Sequence, residues 1–213
     1  MTKAKAKKTT KKKTKGVTFV VSAPSGAGKS TLCSRLTSKM PNLKLSVSYT
    51  TRPPRKGEIQ DVHYSFVSEK KFMNLIAKGE FAEWAMVHGN LYGTSLKRIR
   101  KLNRDGYDII FDVDVRGAKQ LRSTCHDAVY IFILPPSLTT LRKRLKDRST
   151  DSSETIAQRM KNARVEIGHY AEYDYIVVND NIDQALKDLE SIMNSTKLRT
   201  EQADHTWIKN SIK

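Results

Sequence analysis

Cysteine is scarce in this chain. Cys33 and Cys125 are the whole supply among 213 residues, too few for a disulfide framework and without metal-ligand spacing. Both lie in apolar-patterned segments, where free thiols are usually buried, and they are read as belonging to a reducing compartment, the cytoplasm. Long hydrophobic runs are missing as well. Hydrophobic residues make up 38% of the chain, and no stretch approaches the roughly 20 apolar positions that a bilayer span needs, which excludes a membrane-spanning protein. Acids are the minority charge, 22 Asp+Glu against 39 Lys+Arg, for a formal net charge of +17. Such a balance suits polyanionic ligands in general, from nucleotides to nucleic acids.

Residues 1–15 hold eight lysines and neither an acid nor an apolar stretch. They are therefore read as no secretory signal, and with Lys but no Arg as a poor mitochondrial presequence. A solvated, disordered arm is one reading. Loose contact with nucleic acid or an acidic surface is the other, and it is left open rather than expected. The remaining chain is long enough for one domain with inserts.

Five segments read as strands: 17–22 (VTFVVS), 45–49, 109–114 (IIFDVD), 129–134 (VYIFIL) and 175–178 (YIVV). Apolar runs without alternation suit strands covered on both faces, as in a parallel sheet. Helical spacing follows them in Leu32, Leu36 and Met40, in Leu138, Leu141 and Leu145, and in the apolar series from Ile182 to Met193. Strand, helix, strand with right-handed crossovers predicts a three-layer α/β/α domain. Residues 50–95 break the rhythm with short alternating pieces around a helix at 68–78, and read as a small mixed α+β insert. Residues 138–170 are Arg-rich and read as two helices joined by a Ser/Thr/Asp turn at 149–153. The expected order is core (16–49), insert (50–95), core (96–137), Arg-rich region (138–170), core (171–194) and a polar C-terminal segment (195–213).

The strongest chemical signal is Ala23-Pro24-Ser25-Gly26-Ala27-Gly28-Lys29-Ser30, placed between an apolar strand and an amphipathic helix, the context that a phosphate-binding loop requires. Glycines let backbone N–H groups turn inward around phosphates, and the helix adds its positive N-terminal end. Lys29 can reach the β and γ phosphates, and the Ser30 hydroxyl can take one Mg2+ position. The pattern usually opens with Gly where this chain has Ala23. That change costs little at negative φ and more at positive φ.

A second cluster, Ser48-Tyr49-Thr50-Thr51-Arg52-Pro53-Pro54-Arg55-Lys56-Gly57-Glu58, sets two arginines three apart on a segment that the prolines keep extended. Two guanidinium forks there can grip a dianionic phosphate; a solvated basic loop is the plainer alternative. Tyr64 and Tyr92 can donate to phosphate oxygens. Glu83 could accept from the N1–H and 2-amino group of guanine, a donor pair that adenine lacks. Beside Phe81 and Trp84 it also reads as a strand's outward residue.

Taken together, the motifs APSGAGKST, SVSYTTRPPRKGE, HYSFV, EWAMVHGNLYGT, IIFDVDVRGA, IFILPPS and HYAEYDYIVVND resemble guanylate kinase, especially its bacterial form, a P-loop nucleoside monophosphate kinase. The resemblance runs from about residue 17 to 193. It implies Mg2+-dependent transfer of the ATP γ-phosphoryl group to GMP, and to dGMP as well, in purine nucleotide metabolism. Residues 50–95 become a GMP-binding insert and 138–170 a helical lid. Residues 23–31 would bind ATP, with Thr31 closing that run and Asn179 near adenine. Ser48, Glu83 and Thr94 would bind guanine; Arg52, Arg55, Tyr64 and Tyr92 would bind the GMP phosphate. Asp112 would organise GMP and metal, and Asp114 would join Ser30 near Mg2+. Either acid could instead be an ordinary loop cap. Lys29, Arg52, Asp112 and the lid arginines Arg144, Arg148 and Arg159 would be catalytic, although family lids commonly read Arg-Gly where this chain has Arg148-Ser149. Rival readings are a non-catalytic guanylate-kinase-like scaffold domain, a P-loop kinase with another phosphorylated acceptor, and a nucleic-acid-binding protein.

Overall fold

The core begins where side chains have no wet face to occupy. In the computed structural model, which describes residues 15–87, 89–147 and 152–212, β1 (Thr18–Ser22) is buried at every position. It is paired in parallel on both sides, with β7 (Asp108–Asp112) and β8 (Val129–Leu134). β2 (Leu43–Leu45) and β9 (Tyr175–Val178) complete a five-stranded parallel sheet of order β2-β7-β1-β8-β9. On one face lie α1 (Lys29–Lys39) and α7 (Ile182–Lys197), sharing a core of Leu32, Leu36, Leu189 and Met193 with Phe19 and Ile131. On the other lie α3 (Leu96–Arg104) and α4 (Val115–Thr124), whose Ile99 and Leu121 pack with Val20, Phe111 and Tyr130. Three layers result, because each strand presents apolar side chains to both faces.

A second, four-stranded sheet takes its strands from residues 49–95, in the order β4 (Ser65–Phe66), β3 (Tyr49–Thr50), β6 (Asn90–Ser95), β5 (Phe81–Val87). It carries α2 (Glu69–Ala77), capped by the Ser68 hydroxyl, which accepts from the Lys71 N–H. Phe72 of α2 is fully buried against Phe81 and Leu91, with the Phe72 and Phe81 ring centroids 4.5 Å apart. Gly93 makes that approach feasible: a Cβ there would stand 3.1 Å from the Phe72 ring and 3.0 Å from the Glu83 carbonyl.

One expected strand divides. The stretch read as 45–49 gives its first part to β2 in the parallel sheet and its last to β3 in the second sheet. Between them the Ser46 N–H makes a final bond to the Ile110 carbonyl (2.9 Å), and the Ser48 carbonyl accepts from Ser65 of β4 (2.8 Å). A short alternation does not say which sheet a strand joins. Likewise the strand expected to run to residue 114 stops at Asp112, because Asp114 turns to cap α4 and accepts from the Gly117 N–H at 2.8 Å.

α5 (Leu138–Asp147) and α6 (Ser153–Ile167) pack through Leu141, Leu145, Ile156 and Ala163. The expected turn at 149–153 falls mostly outside the described residues, as do residues 1–14. After α7 the chain makes a 3-10 turn (Thr200–Gln202) and ends in α8 (His205–Ser211). Phe72→Ala should destabilise the protein by about 3–5 kcal/mol through the cavity it leaves. Denaturant unfolding measures this, and a loss under about 1 kcal/mol would contradict the packing of α2 on its sheet.

Candidate active site

The phosphate loop leaves β1 and enters α1 through two glycines that no other L residue replaces cheaply. Gly26 has φ 94° and Gly28 φ 93°, both in the left-handed region. Ala23 does not share that need: Asp61 is the one non-glycine with positive φ among the described residues, and the Ala23 side chain is buried in the main core. The departure from Gly at this place therefore carries no backbone strain, and its methyl group packs.

The loop is held from below and from the side. The Asn179 Nδ2 donates to the Ala27 carbonyl at 2.7 Å, and the Asn179 carbonyl accepts from Arg144 Nη2 at 2.9 Å. Asn179 is buried, so its amide is spent on the loop's shape. A Cβ on Gly28 would overlap that amide, and one on Gly26 would come within 3.0 Å of Leu141 and Leu145 of α5. From α6, Arg159 Nη2 donates to the Ser25 hydroxyl (3.1 Å), while the Ser25 N–H donates to Glu166 (3.3 Å). Residues seven apart share a helix face, so one face of α6 makes both bonds. Arg148 lies outside the described residues.

The Lys29 ammonium forms an ion pair with Asp112 at the end of β7. Burial pulls the Lys29 pKa below the ordinary lysine value, against the charges of Cys33, Asp114 and Glu166, which pull the other way. Ser30 and Thr31 are exposed on the first turn of α1. Burial raises the pKa of Glu83 and of Glu166, and the Asp114 charge adds to the rise in each.

Within the second sheet, Glu83 of β5 pairs in register with Thr94 of β6. Thr94 Oγ1 donates to Glu83 Oε1 at 2.7 Å, and Ser48 Oγ lies 3.1 Å from the same hydroxyl. Glu83 is 9% exposed, which sets aside the outward-facing reading. Burial, its largest influence, raises its pKa; the Thr94 bond opposes this. Arg52 sits over the rings of Tyr64 (5.5 Å) and Phe66 (5.8 Å), and Tyr64 meets Tyr92 edge-on at 5.9 Å. The Arg55 side chain is exposed.

Two carboxylates were missed from sequence. Glu58 binds Arg52, and Glu166 binds Ser25. Glu58 follows Arg55 by three residues and Glu166 follows Arg159 by seven, spacings that could have drawn attention to both.

The family model described as guanylate kinase matches residues 15–196. The chain belongs to the guanylate kinase family. It is 48% identical over 188 residues to the guanylate kinase of Geobacter metallireducens, covering 88% of this chain and 93% of that protein. With that of Shewanella violacea it shares 51% over 185 residues, 86% of this chain and 89% of that protein. Among solved structures, a guanylate kinase from Anaplasma phagocytophilum superposes with a TM-score of 0.69 at 34% identity, over 89% of this chain and 90% of that one. In this guanylate kinase family member, nucleotide titrations should find Ala23→Gly within about twofold of the parent and Gly28→Ala weakened at least about tenfold, since only the second forces an L residue into a left-handed, occupied corner. Equal effects would contradict this account of the loop.

Proposed function

We propose that the protein catalyses ATP + GMP ⇌ ADP + GDP with Mg2+, taking dGMP as well, in the cytoplasm. The observation that carries this reading is the buried Glu83–Thr94 pair on the second sheet. Guanine offers two N–H donors to one carboxylate, and Glu83 is already aimed by its bond from Thr94. Adenine lacks that donor pair and would leave the buried carboxylate with the Thr94 bond but without the two from the base, which is costly. Ser48, within reach of Thr94, completes the guanine side. No helix among the described residues is long and apolar enough to cross a membrane.

The chemistry asks for positioning more than for a base. A phosphate monoester loses its second proton near a pKa of about 6, so the attacking GMP oxygen is already anionic at neutral pH. None of the histidines is needed as a general base. Arg52, Arg55, Tyr64 and Tyr92 hold the GMP phosphate; the phosphate loop, residues 23–31, and the Lys29 ammonium hold those of ATP. Asp112 keeps Lys29 in place by their ion pair, and Asn179, beneath the loop, supports the ATP side. Arg144 and Arg159, with Arg148, neutralise charge as the γ-phosphoryl group moves, and closure of the 138–170 region excludes water.

The donors available for Mg2+ are the Ser30 hydroxyl and the carboxylates of Asp112 and Asp114. Among the described residues no group of three or more His, Cys, Asp or Glu could hold a metal ion. So sparse a set fits Mg2+, which keeps several waters and leans on substrate phosphates. Bound there, the ion would offset the negative charge of the phosphates.

ADP release measured with ATP and GMP, AMP, CMP or UMP in turn should show strong preference for GMP and little ADP without an acceptor; a preference for AMP would overturn the reading. The guanine side also predicts a pH dependence. Ionised Glu83 is the form that accepts from guanine, so binding is lost as pH falls through its pKa. Burial raises that pKa, so the loss begins at higher pH than for an ordinary carboxylate. Guanosine, which lacks a titrating phosphate, should bind more weakly as pH is lowered from 7 towards 5; unchanged affinity would contradict the role of Glu83.

A further inference from the structure

Arg52 is gripped by groups of its own loop. Its Nη1 and Nη2 donate to the two carboxylate oxygens of Glu58 at 3.0 and 2.8 Å, and Nη1 also donates to the Pro53 carbonyl at 2.7 Å. Glu58 Oε2 accepts a further bond from the Arg55 N–H at 2.6 Å. The backbone makes this closure local. Glu58 N–H bonds back to the Arg55 carbonyl (3.0 Å), forming a turn whose third residue, Gly57, has φ 87°, a position where glycine is the natural choice. The whole 52–58 loop is therefore folded around one carboxylate, with both ends of the Arg52–Glu58 ion pair largely covered, at 12% and 18% side-chain exposure.

From this geometry we infer that Glu58 is a positioning residue for phosphate-acceptor binding: it fixes Arg52 so that one edge of the guanidinium is presented to the GMP phosphate. The inference rests on the proposed function, in which Arg52 grips that phosphate. A guanidinium has five N–H donors. The three bonds above take both Nη1 donors and one from Nη2. Arg52 also bonds Tyr92, a residue assigned to the same phosphate, and the side facing that phosphate is the edge formed by Nε–H and the second Nη2–H, two parallel donors that match two phosphate oxygens. The Tyr64 and Phe66 rings restrain the guanidinium plane. Hydrogen bonds from Arg52 and the Arg55 backbone hold the Glu58 pKa down at about 2, so the carboxylate stays ionised throughout the neutral range.

Two effects of Glu58 oppose each other. Its negative charge lies beside the place of a dianion, which weakens binding. Its grip orients Arg52, which strengthens binding by removing the cost of ordering a long side chain. The bond geometry is that of a charge-assisted, bidentate pair, and orientation wins. Arg55 then divides the labour: its backbone N–H helps to fix Glu58, and its exposed side chain supplies a second positive charge.

The test compares GMP with guanosine, which carries the base and sugar but no phosphate. In Glu58→Gln the affinity for GMP should fall roughly tenfold, the cost of ordering one long side chain on binding, while guanosine affinity stays unchanged. Glu58→Asp should restore part of the loss. In an Arg52→Ala background, Glu58→Gln should have no further effect on GMP affinity. Unchanged or tighter GMP binding in Glu58→Gln would overturn the inference, because the charge would then outweigh the orientation. Equal losses for GMP and guanosine would also overturn it, since they would mark a general disturbance of the second sheet. Failure of the parent protein to prefer GMP to AMP would strike the proposed function itself, which separates the two.

Discussion

Groups that bind phosphate carry like charge or parallel dipoles, and they must converge before any phosphate is there to hold them. Two cations 4 Å apart repel by about 4 kcal/mol at an effective dielectric constant of 20, in a chain already at +17. This protein resolves the conflict with carboxylates. Asp112 holds Lys29, Glu58 holds Arg52, and Glu166 takes the Ser25 N–H of the phosphate loop. Asp112 and Glu58 each occupy part of their partner's bonding capacity and leave the rest for a ligand, while Glu166 takes the single donor of the Ser25 N–H and fixes the loop. The cations of the site are thereby held by the protein's own groups, and little reorganisation is required when charge enters it.

The fold brings these pairs together through a few junctions. Parallel strands deliver their C-terminal ends to one edge of the sheet, where Ser22 passes into the phosphate loop and Asp112 faces Lys29. α4 starts at that edge and couples the two sheets: Trp84 N–H of β5 donates to Gln120 at 3.0 Å, and the Thr124 hydroxyl donates to the Ala82 carbonyl at 2.9 Å. Glu83 lies between those two positions on β5, so the helix that Asp114 caps also fixes the strand bearing Glu83. On the far side, Asn179 links three parts: the end of β9, the Ala27 carbonyl and Arg144 of α5. A motion of α5 or α6 therefore bears directly on the shape of the phosphate loop.

How much could be read from sequence depended on whether the determinant was local. The phosphate loop was legible because its glycines, lysine and flanking strand and helix are contiguous, and the left-handed backbone at Gly26 and Gly28 can be met by no other residue cheaply. β1 and β8 were legible because neither offers a polar face. The split between β2 and β3 was not, since a few alternating residues do not name their partner strand. Glu83 was ambiguous by itself: its burial depends on pairing with Thr94 eleven residues on and on α4 beyond. The Glu166–Ser25 and Asn179–Ala27 bonds span 141 and 152 residues, distances at which residue type carries no pairing information. Glu58 is the exception among the missed groups, being local and yet unread, because a carboxylate beside two arginines looks like ordinary charge balance until its geometry is seen.

The measurement that bears most directly on two nucleotide sites sharing one chemical centre uses a single molecule long enough to fill both: adenosine and guanosine joined through five phosphates. It should compete with ATP and with GMP alike, bind more tightly than either, and lose affinity in Lys29→Ala and in Arg52→Ala separately. Displacement of one nucleotide with no effect on the other, or indifference to either substitution, would show that the phosphate loop and the Arg52 grip do not face a common phosphate chain.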